Sequence, residues 1–207
     1  MDAADWDARY DTAELIWKGE PNQFLPPEVA DLTPGTALDL ACGEGRNAVW
    51  LATRGWTVTG VDFSPVGVAK AERLAADNGV TGTWIVGDAT SWEPPADGFD
   101  LVIVFYLQLP AADRRAAMRT AVRSLAPGGT FVLVAHDLLN LTEGVGGPQD
   151  PAVLMTADAI VDDLAAAELE FGAELVTERA ERIDRVVTTA DGERTAIDTF
   201  VRVRRIA

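Results

Sequence analysis

Residues able to do chemistry crowd into one short stretch, Leu38-Asp39-Leu40-Ala41-Cys42-Gly43-Glu44-Gly45-Arg46-Asn47-Ala48. Gly43 and Gly45 let the backbone turn sharply with no Cβ in the way of a ligand. The helix-like segment opening at Arg46 aims unpaired amide N–H groups at the space beyond. Asp39 stands four residues before Gly43, inside an apolar run that reads as a strand. A site that only cradles pyrophosphate has little use for that carboxylate, whereas a cationic or amine-bearing ligand would welcome it. The same glycines, as Gly43-x-Gly45-x-x-Ala48, also satisfy a dinucleotide fingerprint, so the turn alone leaves both ligands open.

Three further groups lie at spacings that matter. Asp62 follows Gly43 by 19 residues and ends a β-branched run, where a carboxylate can accept from both hydroxyls of a ribose. Asp88, in Gly87-Asp88-Ala89, ends the next strand-like run. His136 is the only histidine and follows the fifth such run. A histidine titrates near neutrality, which suits removal of a proton from an oxygen, nitrogen or thiol. Cys42 is the only cysteine, so an intrachain disulfide is excluded, and its place in the turn reads as a small buried residue rather than a catalytic thiolate. No histidine and cysteine cluster forms a metal site, and Asp137 and Asp150 are acids in a chain rich in acids; no metal is expected.

The elements that must hold these groups alternate. Strand-like runs at Thr36 to Ala41, Thr57 to Val61, Thr83 to Val86, Phe99 to Tyr106 and Thr130 to Ala135 are separated by helix-like segments at Arg46 to Arg54, from Ser64 to about Asn78, and at Asp113 to Leu125. Ser64 offers an N-cap with Pro65 at the first helical position, and Pro127-Gly128-Gly129 is expected to stop the third helix. Phe99 to Tyr106 is the most apolar stretch, the character of a central parallel strand covered on both faces. Leu138 to Val153 reads as a long loop before a helix from about Thr156 to Ala167. Two strand-like runs, Phe171 to Thr188 and Thr195 to Arg204, flank a turn at Ala190-Asp191-Gly192-Glu193. The pattern predicts a doubly wound, Rossmann-like α/β fold: a mostly parallel seven-stranded sheet with an antiparallel C-terminal hairpin.

The length of 207 residues fits one domain with a sizeable core. Acidic residues outnumber basic ones 33 to 17, for a formal net charge of −16. Such a surface repels phosphate backbones and anionic membranes, so neither nucleic acid nor a membrane is an expected partner. The start of the chain lacks the basic-then-apolar order of a secretory signal, and a cytoplasmic location is expected.

Asp39-x-x-x-Gly43-x-Gly45, Asp62, Asp88, Phe99-Asp100 opening the apolar strand and Pro127-Gly128-Gly129 together resemble the class I S-adenosylmethionine-dependent methyltransferases over Thr36 to Asp137, half of the chain. Gly43-Glu44-Gly45-Arg46-Asn47 is most similar to the small-molecule branch that includes the tellurite-resistance and thiopurine types. The resemblance implies S-adenosylmethionine as cofactor. Asp39 and the Gly43–Gly45 turn would hold its methionine end, Asp62 its ribose, and Asp88 and Ala89 its adenine, with Arg46 and Phe63 also among the cofactor-binding residues; Phe105 would lie beneath it, or reads equally well as core. Trp6 and Tyr10, four apart, resemble an aromatic pair that lids the cofactor; an amphipathic helix burying aromatics reads equally well. The resemblance implies residues 1–30 as a helical lid, 36–137 as the cofactor core, and 138–207 as the substrate loop, helix and hairpin. His136 is the candidate base toward a small-molecule acceptor. The exit of the apolar strand, Phe105-Tyr106-Leu107-Gln108-Leu109-Pro110, lacks the Asn/Asp-Pro-Pro-Tyr/Phe run of amide and nucleobase-amine enzymes, and no Pro-Cys dipeptide serves pyrimidine attack. A non-catalytic cofactor-binding regulator and an NAD-dependent oxidoreductase are the rival readings.

Overall fold

The computed structural model of the chain describes residues 6, 7, 10, 11, 15, 19–190 and 192–206. A short helix α1 (Leu25–Val29) precedes β1 (Thr36–Leu40), α2 (Arg46–Thr53), β2 (Thr57–Asp62), α3 (Pro65–Asp77), β3 (Thr83–Val86) and β4 (Phe99–Phe105). There follow α4 (Ala111–Ser124), β5 (Leu125–His136), α5 (Asn140–Glu143), a 3₁₀ turn at Pro151–Val153, α6 (Ala157–Phe171), β6 (Leu175–Thr189) and β7 (Gly192–Arg205).

The strands form one seven-stranded sheet in the order β3-β2-β1-β4-β5-β7-β6. Strands β1 to β5 pair in parallel, and β7 runs antiparallel between β5 and β6. The sheet is covered on both sides because its strands are apolar at successive positions. Leu38, Leu40, Val102 and Val104 pack with α4 and α6, while Ala37, Leu101, Ile103 and Phe105 pack with α1 and α2. β1 has β2 on one side and β4 on the other. The strand order therefore reverses between β1 and β4, and a crevice opens beyond their carboxyl ends.

The expected strands and helices are present, with differences at their ends. Ser64 caps α3 by accepting from the Gly67 amide, with Pro65 at the first position. The helix expected over Asp113–Leu125 spans Ala111–Ser124, and Leu125 already pairs with Phe99 as the start of β5. Pro127-Gly128-Gly129 therefore does not end the helix; it lies within β5, where the pairing with β4 shifts register. The last helix continues past Ala167 to Phe171 because Glu168, Leu169 and Glu170 favour helix, and left-handed Gly172 closes it at φ 64°. Strand β6 begins at Leu175, so the run from Phe171 is helix first. The segment Leu138–Val153 is not structureless: it holds α5 and the 3₁₀ turn, tied by Asn140, which donates to the Gly146 carbonyl (2.9 Å) and accepts from the Ile197 amide (2.7 Å). Asp191 of the hairpin turn lies outside the described residues.

Candidate functional site

Among the described residues only two that are not glycine have a positive φ, Ala41 at 67° and Tyr106 at 58°. Each immediately follows one of the two strands flanking the crevice, β1 and β4. Left-handed backbone is costly for side-chain-bearing residues and persists where the surroundings enforce it, a pattern concentrated at functional sites. Gly43 and Gly45 are left-handed too, at 54° and 78°, and the Ala41 and Cys42 amides both donate to the Val61 carbonyl, pinning the turn against β2. A Cβ on Gly43 would come within 2.7 Å of the Tyr10 hydroxyl, so Tyr10 packs directly on the backbone of the turn.

Two carboxylates lie beneath this turn. Asp39 is buried and accepts from the Ala48 amide of α2 at 3.2 Å. Burial pushes its pKa from 3.8 up to about 7, against the opposing pull of that amide. Asp62 is buried as well and accepts from the amides of Gly43 (2.8 Å) and Ser64 (2.9 Å). Burial raises its pKa also, partly offset by those two bonds. The strand-end aspartate is thus a brace of the glycine turn. Each of its oxygens accepts one of these amides and retains a second acceptor site for a ligand hydroxyl. Two buried acids beside the glycine turn are an acceptor set that fits a cationic ligand carrying hydroxyls. Cys42 is buried between them, and desolvation followed by the charges of Asp39 and Asp62 holds its thiol well above its ordinary pKa. It stays protonated, as a packing residue does.

The remaining sequence candidates divide. Tyr10 is buried, stacks at 5.4 Å on Trp6, and approaches the glycine turn and Gly67 of α3. Asp7 accepts from the Ser64 hydroxyl, tying the same segment to the cap of α3. Trp17 lies outside the described residues. Arg46 opens α2, and burial, first among several effects, lowers its pKa; Asp39 and Tyr106 are among its electrostatic neighbours. Phe63 is half-buried beside Asp62. Phe105 packs in the core with Leu25, Ile103, Val134 and Phe200, which is the role of an interior aromatic. Asp88 is exposed and accepts from the amide and hydroxyl of Thr90, both at 2.8 Å, as a turn-capping aspartate does; Ala89 beside it is buried.

At the other end of the crevice the sheet register brings together residues that sequence reading did not join. His136 ends β5 and pairs with Asp198 of β7, while Arg185 lies on β6 and Tyr106 follows β4. Asp198 is completely buried. Its Oδ2 accepts from the Tyr106 hydroxyl at 2.8 Å and from Arg185 Nε at 2.6 Å, and its Oδ1 lies 3.3 Å from His136 Nδ1. The last contact is too poorly aligned to count as a hydrogen bond, and His136 Nδ1 is a buried atom with no other partner. Burial raises the Asp198 pKa, but its interactions with His136, Arg185 and Tyr106 outweigh that and hold it below the ordinary range. Burial and the Asp198 charge push the Tyr106 phenol up, so it stays a donor. The His136 ring lies 4.8 Å from the Tyr106 ring, and on Gly147 an added Cβ would sit 2.9 Å from Nδ1. The sequence singles out His136 at the end of the fifth strand but not its partners, because Tyr106 and Asp198 are 92 residues apart.

No group of three or more metal-binding side chains occurs among the described residues. Asp137 is buried and accepts from the Leu139 amide and the Thr199 hydroxyl, and Asp150 caps the 3₁₀ turn through the Ala152 amide. No helix among the described residues is long and apolar enough to cross a membrane.

Comparison with known proteins places this geometry in context. Residues 37–129 match the family described as a methyltransferase domain. The chain is 29% identical over 143 residues to a 2-heptyl-1-hydroxyquinolin-4(1H)-one methyltransferase of Mycobacteroides abscessus, covering 65% of this chain and 63% of that protein. It is 36% identical over 111 residues to the ribosomal RNA small subunit methyltransferase C of Alcanivorax borkumensis, covering 50% of this chain and 33% of the relative. The chain thus spans less than two thirds of the length of these curated relatives. Among solved structures it is similar to the N-methyltransferase NodS of Bradyrhizobium japonicum in complex with S-adenosyl-L-homocysteine, with a TM-score of 0.71 and 19% identity, covering 99% of this chain and 98% of the other.

Proposed function

We propose that this chain, whose residues 37–129 match a methyltransferase domain, transfers a methyl group from S-adenosylmethionine to a small-molecule acceptor. The observation that carries the reading is the pair of strained residues, Ala41 and Tyr106, on either side of a crevice floored by Asp39, Asp62 and the glycine turn. The antiparallel β7 between β5 and β6 argues against the oxidoreductase alternative, whose sheets usually continue strand–helix–strand.

When bound, the cofactor supplies a methyl on a sulfonium: an acceptor lone pair forms the bond to that carbon, the carbon–sulfur pair returns to sulfur as a neutral thioether, and any proton on the acceptor atom must leave. The chain's own residues align and enclose. Gly43, Gly45 and Arg46, with Asp39, would hold the methionine end, Asp62 and Phe63 the ribose, and Asp88 and Ala89 the adenine. Methyl displacement depends largely on such alignment. His136, lying against Gly147 of the segment Leu138–Val153, would face the acceptor. A net charge of −16 disfavours nucleic acid as the acceptor.

A cation over Asp39 has a thermodynamic signature. With its pKa raised to about 7, the folded apoprotein holds a proton that the unfolded chain has lost above about 4. Stability contributed by this group is therefore greatest in acid, falls as pH rises, and is fully lost above pH 7. A cationic ligand ionises Asp39 and must expel its proton below pH 7. Affinity for S-adenosylmethionine is expected to tighten as pH rises toward 7, by up to about tenfold per unit, and then to level. Calorimetry from pH 6 to 8 on wild type and Asp39→Asn measures this: the variant should bind weakly with a flat profile and melt higher than wild type at pH 8. A flat wild-type profile removes Asp39 from the site.

Trp6 and Tyr10 support a lid reading for the N-terminal segment. Hydrogen exchange of residues 1–24 is expected to slow when S-adenosylhomocysteine binds, as a segment closing over ligand does. Equal strong protection with and without ligand would make it a permanent part of the core.

A further inference from the structure

We propose that Asp198, held in place by Tyr106 and Arg185, locks His136 in the tautomer whose Nε2 is the proton acceptor, and that the acceptor molecule therefore reacts at an atom that must lose a proton, a hydroxyl, a thiol or an N–H. The inference rests on the methyltransferase reading above. Four strands contribute one residue each at or just past neighbouring strand positions, and three of these residues converge on the fourth, the fully buried Asp198.

The carboxylate's two oxygens have different neighbours. Oδ2 is taken by two groups that can only donate in this arrangement, the Tyr106 hydroxyl at 2.8 Å and Arg185 Nε at 2.6 Å. Oδ1 faces His136 Nδ1 at 3.3 Å and otherwise receives only a long 3.4 Å contact from Arg185 Nη2. An ionised carboxylate can only accept, so the imidazole nitrogen facing it must carry the hydrogen. Nδ1 is then N–H, and Nε2 keeps its lone pair. The ring has little freedom to turn this around, wedged between the Tyr106 ring at 4.8 Å and the backbone of Gly147. The misaligned Nδ1 contact is of the kind that tightens when a ligand closes a site. What stays accessible of the His136 side chain, 13%, lies away from the buried Nδ1.

The arrangement has a chemical consequence. As the new bond to carbon forms, the proton leaves the acceptor heteroatom for Nε2, and the resulting imidazolium is stabilised by the Asp198 carboxylate across Nδ1. A base so prepared serves a hydroxyl, a thiol or a primary or secondary amine. It offers nothing to a tertiary amine, a thioether or a halide, which have no proton to lose.

Because His136 is the only histidine, its nitrogens can be observed without ambiguity by long-range ¹H–¹⁵N correlation on the ¹⁵N-labelled full chain, at about pH 9, above the ordinary histidine range. Wild type should show Nδ1 as the protonated nitrogen and Nε2 as the bare one. In Asp198→Asn, Tyr106 and Arg185 still demand an acceptor at the Oδ2 position, so the amide oxygen sits there and its NH₂ turns to His136. Nδ1 must then accept, and the tautomer reverses. Tyr106→Phe leaves Arg185 in charge of Asp198 and should keep the wild-type tautomer. With an acceptor in hand, Asp198→Asn should lower kcat about 10²–10⁴-fold with little change in S-adenosylhomocysteine affinity. A panel of phenols, alcohols, thiols, primary and secondary amines, tertiary amines, thioethers and halides, read by S-adenosylhomocysteine release, should give turnover only with the first four. A wild-type spectrum with Nε2 protonated overturns the proposal whether or not the variant folds, and so does turnover confined to proton-free acceptors. Failure of S-adenosylhomocysteine to bind, with the tautomer as expected, would instead overturn the methyltransferase reading.

Discussion

Replacing His136 by alanine is expected to lower turnover on a confirmed acceptor by about 10²–10⁴-fold at neutral pH, with cofactor affinity nearly unchanged. The size follows from what a positioned general base contributes. Asp198 lies 3.3 Å from one imidazole nitrogen, so removal of the ring also strands a buried carboxylate, although Tyr106 and Arg185 remain to hold it. If His136 only lined the pocket, the loss would be smaller and would fall on the acceptor's KM. Steady-state kinetics, preceded by calorimetric titration of S-adenosylhomocysteine into the variant, separates these outcomes. Wild-type kcat in His136→Ala would exclude the base and leave alignment as the source of rate.

The second large effect is expected at Asp62. Charge-assisted hydrogen bonds contribute roughly 1.5 to 3 kcal/mol, so Asp62→Ala should weaken S-adenosylhomocysteine binding about tenfold to 150-fold. The substitution also leaves the Gly43 and Ser64 amides without their acceptor. Each unsatisfied buried amide costs about 1–3 kcal/mol, so a lower Tm accompanies the lost affinity. The two effects are separable by titrating at a temperature where circular dichroism shows the variant folded. Unchanged affinity there would make Asp62 a brace of the turn and nothing more.

What could be read in advance depended on sequence distance. Asp39, Gly43, Gly45 and Asp62 belong to one strand–turn–helix–strand unit, so their spacing carries their relation. Ser64 and Pro65 announced a cap that exists. The start of β5 was misread because Leu125 pairs with Phe99 before the Pro127-Gly128-Gly129 turn, and long-range pairing outweighs local turn chemistry. Phe105 at a strand end reads equally as a cofactor contact or as core, and its packing with Leu25 and Phe200 is a tertiary fact that spacing does not carry. The His136 cluster was illegible for the same reason. Asp198 and Arg185 are one acidic and one basic residue among many until the β6–β7 register aligns them with β5. The strain at Ala41 and Tyr106 leaves no mark in residue type at all, since neither alanine nor tyrosine favours a left-handed backbone.

The central claim is that the crevice between β1 and β4 holds S-adenosylmethionine rather than a dinucleotide, and one titration tests it most directly. S-adenosylhomocysteine and NADH are titrated separately by calorimetry into the purified full chain and into Asp62→Ala. Saturable one-to-one binding of S-adenosylhomocysteine to wild type, weakened in the variant, with no heat from NADH, is the predicted result. Binding of NADH without S-adenosylhomocysteine would contradict the account.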